Sequence, residues 1–115
     1  MTATIIELDQ GGPAAILRIS GDITSGSEGD LMAAYGLAAA NGSSTVILDF
    51  SKLEYMNSGG IGLLVTLLVR AQRAGGRLIA TGLSDHYREI FSLTRLDEAI
   101  EIHDDDAAAL IAATT

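Results

Sequence analysis

A run of five residues in the middle of the chain, Val46 to Phe50, places the strongest constraint on the fold. All of its side chains are apolar except one carboxylate, Asp49. Apolar runs of this length without alternation are typical of a strand that is covered on both faces, as in parallel sheets. The sequence therefore predicts an α/β domain with this strand in the middle of the sheet.

The residues that follow predict a helical crossover onto a second strand. We expect a loop from Ser51 to Asn57 and then a strongly apolar helix from Ser58 to about Ala74. Gly75-Gly76 is expected to end this helix, because glycine is the common residue just after a helix C-terminus. Arg77 to Ala80 is predicted to form the next strand.

The N-terminal residues predict a β-hairpin. Thr4 to Leu8 and Ala14 to Ile19 are short aliphatic runs, and a turn with glycines and a proline, Asp9 to Pro13, separates them. Ser20-Gly21-Asp22 is expected to close the second strand.

A first helix is predicted after this hairpin. Ser25 and Glu28 have the spacing of a capping box, the helix is expected to reach about Ala40, and Gly42 is expected to end it. Apolar residues at i, i+3, i+4 and i+7 place one helix face against the core. These residues are Leu31, Ala34, Tyr35 and Ala38.

The C-terminal third predicts two more helices and an edge strand. Ser84-Asp85 can cap a short helix, and Ala99 to Ile102 can form the edge strand. Asp104 to Asp106 place negative charge at the start of an alanine-rich helix, where the helix dipole favours it. The whole chain, residues 1–115, is thus expected to be one α/β domain with a mixed, mostly parallel sheet that starts with the hairpin and carries about four helices. The short helix is predicted to carry Tyr87, Ile90, Phe91 and Thr94 on one side.

The composition excludes several functional classes. With 15 acidic and 7 basic side chains the net charge is −8, which opposes binding to a phosphate backbone. The absence of cysteine removes disulfides, thiolate nucleophiles and cysteine-based zinc sites. The first residues lack the pattern of a secretory signal, and the apolar run Ile61 to Val69 is too short to cross a bilayer. We therefore expect a cytoplasmic protein without a nucleic-acid, membrane, metal or cofactor partner.

The negative charge is divided unevenly along the chain. Residues 1–55 carry −5, residues 56–96 carry +3 and residues 97–115 carry −6. The positive segment begins within a chemically unusual stretch, Tyr55 to Gly62.

Ser58 lies in this stretch and is the candidate functional residue. It is expected at the N-terminus of the apolar helix, where backbone N–H groups lack intrahelical partners and the dipole favours an anion. Glycines at positions 59, 60 and 62 remove side chains around it, although each weakens the helix. One interpretation is that Ser58 or Asn57 only caps the helix and the glycines serve packing. The other is that a partner approaches closely here.

A helical wheel divides the apolar helix into two faces. A face that begins with small residues and ends in two cations would suit a partner's helix or loop, with an ordinary solvated face as the alternative. The core face is predicted to contain Ile61, Leu64, Val65 and Leu68. The opposite face is predicted to contain Gly59, Gly62, Thr66, Arg70 and Arg73, flanked by Leu63 and Val69.

Four segments together carry a resemblance to a known family. They are Val46 to Phe50 with Leu53 to Gly62, Ile19 to Ile23, Gly82 to Ser84, and Phe91 to Asp97. In their order and spacing they resemble the STAS domains, in particular the bacterial anti-sigma factor antagonists. The resemblance covers nearly the whole chain and implies a single STAS domain.

This resemblance implies a partner-switching protein and not an enzyme. In such antagonists the serine at the position of Ser58 is phosphorylated by the anti-sigma factor, which is itself an ATP-dependent serine kinase. The unphosphorylated antagonist binds that kinase and frees the sigma factor, and phosphorylation releases the antagonist. A serine phosphatase is the further implied partner. The partner-binding residues are expected to be Asp22, Asn57, Ser58, Gly59, Gly60, Gly62, Leu63 and Thr66.

Two residues depart from the common pattern of the antagonists. Asn57 stands where Asp is frequent, and Gly59 stands where Ser or Thr is frequent. Ser58 is therefore the only candidate phosphorylation site in the motif. The missing charge at position 57 leaves open a STAS interaction or sensing module that is not phosphorylated or not linked to a sigma factor.

Two other functional classes fit the residues less well. A hydrolase G-x-S-x-G motif would need glycine where Met56 stands, and a sharp turn instead of the expected loop. A P-loop would need Lys followed by Ser or Thr after its glycines, and neither this motif nor G-x-G-x-x-G is present. Possible triad partners for a serine nucleophile are Asp85, His86, Asp97 and His103.

Overall fold

Five strands and four α-helices make up the part of the chain that the computed structural model describes, residues 2–10 and 12–114. Short 3₁₀ turns lie at Ser25–Ser27 and Leu96–Glu98. The predicted order of elements is confirmed. In chain order the elements are β1 Ile5–Asp9, β2 Ala15–Ile23, α1 Glu28–Ala40, β3 Thr45–Met56, α2 Ser58–Arg73, β4 Arg77–Thr81, α3 Asp85–Leu93, β5 Glu101–His103 and α4 Asp106–Ala113.

The strands form one mixed sheet with the order β1-β2-β3-β4-β5. β1 and β2 pair antiparallel, with Asp9 opposite Ile16, which confirms the predicted hairpin. Gly11 of the predicted turn lies outside the described residues. The other three pairs of neighbouring strands are parallel, and β3 is the middle strand, as its apolar run predicts.

Helices cover both faces of the sheet. α1, α2 and α3 pack on one face in a large core that includes Leu48 and Phe91. α4 packs on the other face in a smaller core around Ile47, Ile79 and Ala109. Because successive side chains of a strand point to opposite faces, the continuous apolar run of β3 supplies both cores.

Two strands are longer than predicted. β2 continues through Ser20-Gly21-Asp22 to Ile23, and β3 continues to Met56 through residues predicted to be a loop. The β2–β3 register shifts between Arg18 and Ser20 and again between Gly21 and Asp22, and β3 takes up an extra residue at each shift. Such bulges interrupt the alternation of apolar and polar side chains from which a strand is recognised.

The start of the first helical segment also differs from the prediction. Thr24, not Ser25, is the cap, because its hydroxyl accepts the Gly26 N–H while the Ser27 hydroxyl accepts the Thr24 N–H. This capping box opens a 3₁₀ turn that leads into α1. Gly42 follows α1 with a φ of +89°, which confirms its predicted role. The predicted inner face of α1 is confirmed by the burial of Leu31, Ala34, Tyr35 and Ala38.

The last helices begin as their acidic and hydroxyl residues predict. Ser84 caps α3 by accepting the Tyr87 N–H at 3.3 Å, and Asp105 caps α4 by accepting the Ala108 N–H at 2.9 Å. Thr94, grouped by the sequence pattern with Tyr87, Ile90 and Phe91 on one side of α3, is the exposed residue that ends this helix. The edge strand is shifted two residues beyond the predicted Ala99 start.

None of the helices in the described part of the chain combines the length and the apolarity that a bilayer crossing requires.

Candidate functional site

Ser58 is an exposed residue at the first position of α2. It follows the end of β3 after a single linking residue, Asn57, which has an extended backbone. The hydroxyl group is therefore presented to solvent at the carboxyl edge of the middle strand. A helix N-terminus at this edge favours negative charge, because its first N–H groups point outward.

Asn57 caps the helix that Ser58 begins. Its side-chain oxygen accepts the Gly60 N–H at 2.9 Å, and its own N–H donates to the Ile23 carbonyl at 3.3 Å. Asn57 thus fixes the helix start and joins it to the end of β2. The capping role that the sequence left open between Asn57 and Ser58 belongs to Asn57.

The three glycines of this segment have three different surroundings. A β-carbon on Gly60 would lie 2.4 Å from the Ile23 carbonyl oxygen, and one on Gly59 would lie 3.1 Å from the Ser25 nitrogen. A β-carbon on Gly62 would have nothing within 4 Å. Gly60 therefore serves close internal packing, and Gly62 leaves open space on the surface of α2.

Asp22 is almost fully buried, with 7% of its surface exposed. Its carboxylate accepts the Thr2 N–H at 3.0 Å, and the Thr4 hydroxyl donates to its backbone carbonyl. Gly21, at a φ of +81°, allows the Ala3 carbonyl to pass close to it. In this arrangement the predicted partner-binding carboxylate holds the N-terminal segment, so a partner could reach it only if residues 2–4 moved.

The predicted faces of α2 are wrong at two positions, while Ile61, Leu64 and Leu68 lie in or against the core as predicted. Leu63, expected at the exposed edge, is 4% exposed and packs in the core, and Val65, expected in the core, is 43% exposed. Leu63 consequently cannot offer an exposed apolar edge to a partner. Residues 61–69 are apolar except for Gly62 and Thr66, so the hydrophobic pattern alone did not determine the rotation of this part of the helix. The buried residues are Gly60, Leu63, Leu64, Leu67 and Ala71.

Thr66 lies on the exposed face, and its hydroxyl donates to the Gly62 carbonyl at 3.1 Å. A groove of about 360 Å³ continues along this face between Val65, Thr66, Val69, Arg70 and Arg73. Exposed Gly62 and Thr66 therefore share one surface with Ser58, as the sequence predicts. Val69 is one of its apolar members, also as predicted, and Val65 takes the place of Leu63 as the other.

Arg70 is attached to the neighbouring helix. Its guanidinium donates to the Met32 carbonyl at 3.3 Å and lies 5.1 Å from the centre of the Tyr35 ring. Arg70 is also about 18 Å from Ser58 along the axis, at 1.5 Å per residue. It stabilises the contact between α1 and α2 and does not supply a cation to Ser58.

The opposite face of the sheet carries a cluster of charged groups outside the Ser58 site. Arg18 lies 3.8 Å from Asp49 and 3.6 Å from Asp106, and the Thr81 hydroxyl donates to Asp106 at 2.7 Å. Burial raises the pKa of Asp106, although the Thr81 hydrogen bond acts against this rise. Burial also tends to raise the pKa of Asp49, but hydrogen bonds from Ser51 and the Arg18 charge outweigh it, so this pKa is lowered.

The junction before Ser58 is sharper than the sequence predicts. The expected seven-residue loop is strand, so its length no longer argues against a hydrolase elbow. Met56 still argues against a hydrolase elbow, because it stands where that motif requires glycine. The possible triad partners also have other contacts: the His86 ring packs edge-to-face on Tyr87, and His103 lies 3.6 Å from Glu101.

A contact that the sequence did not reveal joins α3 to this junction. The Tyr87 hydroxyl oxygen accepts the Met56 N–H at 2.8 Å. The pattern of α3 indicates only that Tyr87 shares one side of the helix with Ile90 and Phe91. The partner could not be identified, because the residues around Met56 were expected to form a loop.

Comparison with known proteins identifies the fold. A family model described as "Mlab, STAS domain" matches residues 6–104. An anti-sigma factor antagonist from Mycobacterium paratuberculosis is 19% identical, with 98% of this chain and 96% of that chain covered and a TM-score of 0.83.

Two further proteins of similar fold, one of them solved in two forms, differ in the roles that their names give. The anti-sigma factor antagonist SpoIIAA in its unphosphorylated form is 20% identical, with 96% and 97% of the two chains covered and a TM-score of 0.72. The same Bacillus protein in phosphorylated form gives a TM-score of 0.69 at 21% identity, with 91% and 96% covered. A sulfate transporter family protein from Wolinella succinogenes is 20% identical, with 86% and 83% covered and a TM-score of 0.75. At these identities the likeness establishes a shared fold.

Proposed function

This chain belongs to the STAS domain family, and from that membership we propose that it is an anti-sigma factor antagonist that acts by partner switching. The unphosphorylated protein binds an anti-sigma factor with serine kinase activity and so frees a sigma factor. Phosphorylation of Ser58 by that kinase releases the antagonist, and a serine phosphatase restores it. The protein acts in the cytoplasm as a binding protein and not as a catalyst.

The observation that carries this proposal is the exposure of Ser58 at the start of α2 beside a surface with little side-chain bulk. A kinase needs access to the hydroxyl group, and an exposed first helical residue gives it. Gly62, without side chain and with open space above it, allows the backbone of a partner to approach next to the same hydroxyl. One surface therefore serves both binding and modification.

A phosphate on Ser58 would change this surface mainly by its charge. It adds about 1.5 to 2 negative charges near pH 7. The basic residues of α2, Arg70 and Arg73, lie in its last turn. The phosphate is therefore compensated by helix N–H groups only in part, and a partner that packs closely against α2 would have to bury its remaining charge.

The fold can accept this phosphate without rearrangement. Asn57 holds the helix start through Gly60, and Gly60 packs against the Ile23 carbonyl, so the Ser58 side chain is not needed for either contact. Repulsion and bulk at the interface are sufficient to release the partner.

The experiment has two steps. The immobilised chain is used to capture proteins from its native cell, and a captured small ATPase of the histidine-kinase-like type is then incubated with the chain and ATP. We expect one phosphate per chain, on Ser58. Ser58→Ala should abolish the label, and Ser25→Ala, which removes another exposed hydroxyl near α2, should leave it unchanged. Label on another residue would refute the assignment.

A binding measurement tests the switch itself. Ser58→Asp, which places a carboxylate at the helix start, should weaken kinase binding at least tenfold, whereas Ser58→Ala should retain it. Equal affinities of the two variants would contradict release by negative charge.

The second candidate is a STAS interaction or sensing module without a sigma factor. Asn57, which lacks the charge common at this position in antagonists, and the similar fold of a sulfate transporter family protein favour it. In that case the captured partner would not be a kinase, and the chain would remain unphosphorylated in its native cell.

A further inference from the structure

The end of β3 that precedes Ser58 extends beyond its neighbour β4. β3 pairs with β4 only from Thr45 to Asp49, so residues 50–56 have β2 beside them on one side. On the other side the chain turns away at Gly82, which packs against Ser51. A strand segment in this position lacks the second row of ladder hydrogen bonds that holds a central strand.

Helix α3 supports this extended segment at two points. At the start of the segment, the Phe91 ring packs edge-to-face on Phe50 with a centroid distance of 6.2 Å. Near its end, the Tyr87 hydroxyl oxygen accepts the Met56 N–H at 2.8 Å. The hydroxyl group of Tyr87 thus occupies the place that a carbonyl of a neighbouring strand would otherwise take.

Met56 transmits this support to the start of α2. Its side chain is 4% exposed, and a β-carbon on Gly60 would lie 2.9 Å from its Cγ. The next residue, Asn57, donates to Ile23 and caps α2. The backbone position of Met56 therefore determines where the cap stands and where Ser58 is presented.

We propose that Tyr87 is a positioning residue for the Ser58 site, which it holds in place through its hydrogen bond to the Met56 N–H. The effect of this role on phosphorylation rests on the proposed function, whereas its effect on the structure of the site does not. Tyr87 is itself held at two points. Its backbone N–H donates to the Ser84 hydroxyl oxygen at 3.3 Å, and the centroid of its ring lies 4.9 Å from that of the His86 ring.

Tyr87→Phe is the variant that tests this role, because it removes only the hydroxyl group. Amide hydrogen exchange, followed residue by residue by NMR, should be about five to ten times faster at Met56, in keeping with the loss of a hydrogen bond of about 1 kcal/mol. Leu48, in the middle of β3, should keep its protection. Tyr35→Phe, which removes a phenol hydroxyl from buried Tyr35 on α1, is the matched control and should leave Met56 unchanged.

Unchanged exchange at Met56 in Tyr87→Phe would overturn the proposal. So would an equal loss of protection at Met56 and Leu48, because the hydroxyl group would then stabilise the domain as a whole. Neither result depends on whether Ser58 is phosphorylated.

A kinetic measurement then connects the positioning to phosphorylation by the captured kinase. Tyr87→Phe should raise KM for the chain severalfold and change kcat less, since the hydroxyl of Ser58 is intact and only its presentation is altered. If exchange at Met56 were faster but KM were unchanged, the proposed effect of Tyr87 on the presentation of Ser58 to the kinase would be overturned. If the unaltered chain were not phosphorylated, the proposed function would be overturned. The result of the exchange experiment would still hold.

Discussion

The Ile23 carbonyl oxygen lies so close to the α-carbon of Gly60 that a β-carbon there would stand 2.4 Å from it. Contact between the end of β2 and the first turn of α2 is thus made backbone to backbone. The close approach explains why a residue of low helix propensity lies inside this helix, and it does not apply to Gly62, two residues later.

The first prediction compares these two glycines. Gly60→Ala should lower the free energy of unfolding by about 1–3 kcal/mol, because the added methyl group forces the backbone apart. Gly62→Ala should raise it by about 0.5–1 kcal/mol, because alanine is the better helix former and the space there is open. Urea unfolding followed by circular dichroism measures both. Equal effects of the two substitutions would show that the backbone around Ile23 accommodates the added methyl group without a loss of stability, which would contradict the prediction.

The second prediction concerns the helix cap. Asn57→Ala should lower the free energy of unfolding by about 0.5–2 kcal/mol, because the Gly60 N–H loses its acceptor. Asn57→Asp keeps an acceptor and adds a charge that the helix dipole favours, so it should stabilise by about 0.3–1 kcal/mol. Thermal unfolding at low salt gives the order of the two variants and the unaltered chain. An aspartate variant less stable than the alanine variant would contradict the capping role.

The third prediction separates the two cations of α2. Arg70→Ala should cost about 0.5–1 kcal/mol, because the guanidinium loses its position over the Tyr35 ring. Arg73→Ala is the matched control one turn later and should change stability by less than about 0.5 kcal/mol, as most exposed substitutions do. Urea titrations of both variants provide the comparison. A larger loss of stability from Arg73→Ala than from Arg70→Ala would contradict the assignment of the interhelical contact to Arg70.

The fourth prediction concerns the pH dependence of stability. The raised pKa of Asp106 means that the folded state holds this proton more tightly than the unfolded state. The contribution of Asp106 to stability therefore falls as pH rises from the unfolded pKa through the folded pKa. Asp49, with a lowered pKa, contributes in the opposite direction, and its contribution is lost as pH falls through its folded pKa.

Asp106→Asn removes the charge that burial disfavours and retains an oxygen for the Thr81 hydroxyl. We expect this variant to be more stable than the unaltered chain at pH 7, and the difference should shrink as pH falls below the folded pKa of Asp106. Thermal unfolding between pH 3 and 7 measures this. Asp97→Asn, which changes an exposed carboxylate outside this charged cluster, is the control for the loss of one negative charge.

The sequence predicted the elements well where the pattern reflects burial. The run from Val46 to Phe50 is buried throughout, since it lies between helices on both faces, and α1 has the periodic face that the spacing indicates. Glycines after α1 and α2 have the positive φ expected at helix ends.

The site was harder to predict, because its geometry depends on contacts between distant segments. Residues 51–56 were expected to form a loop, since two bulges interrupt their alternation. The rotation of α2 is tied to Gly60, whose lack of a side chain lets the helix start approach the Ile23 carbonyl. Leu63 was therefore placed on the wrong face, while the exposed position of Ser58 does not depend on this rotation.

The two ends of the described chain lie near opposite ends of the parallel strands. Thr2 donates to Asp22 at the carboxyl end of β2, close to the start of α2, whereas Arg77 at the beginning of β4 donates to the Ala112 carbonyl near the end of α4. A fluorophore or surface anchor attached after Thr114 would therefore stand well away from Ser58. One attached before Thr2 would crowd the surface on which a binding assay depends.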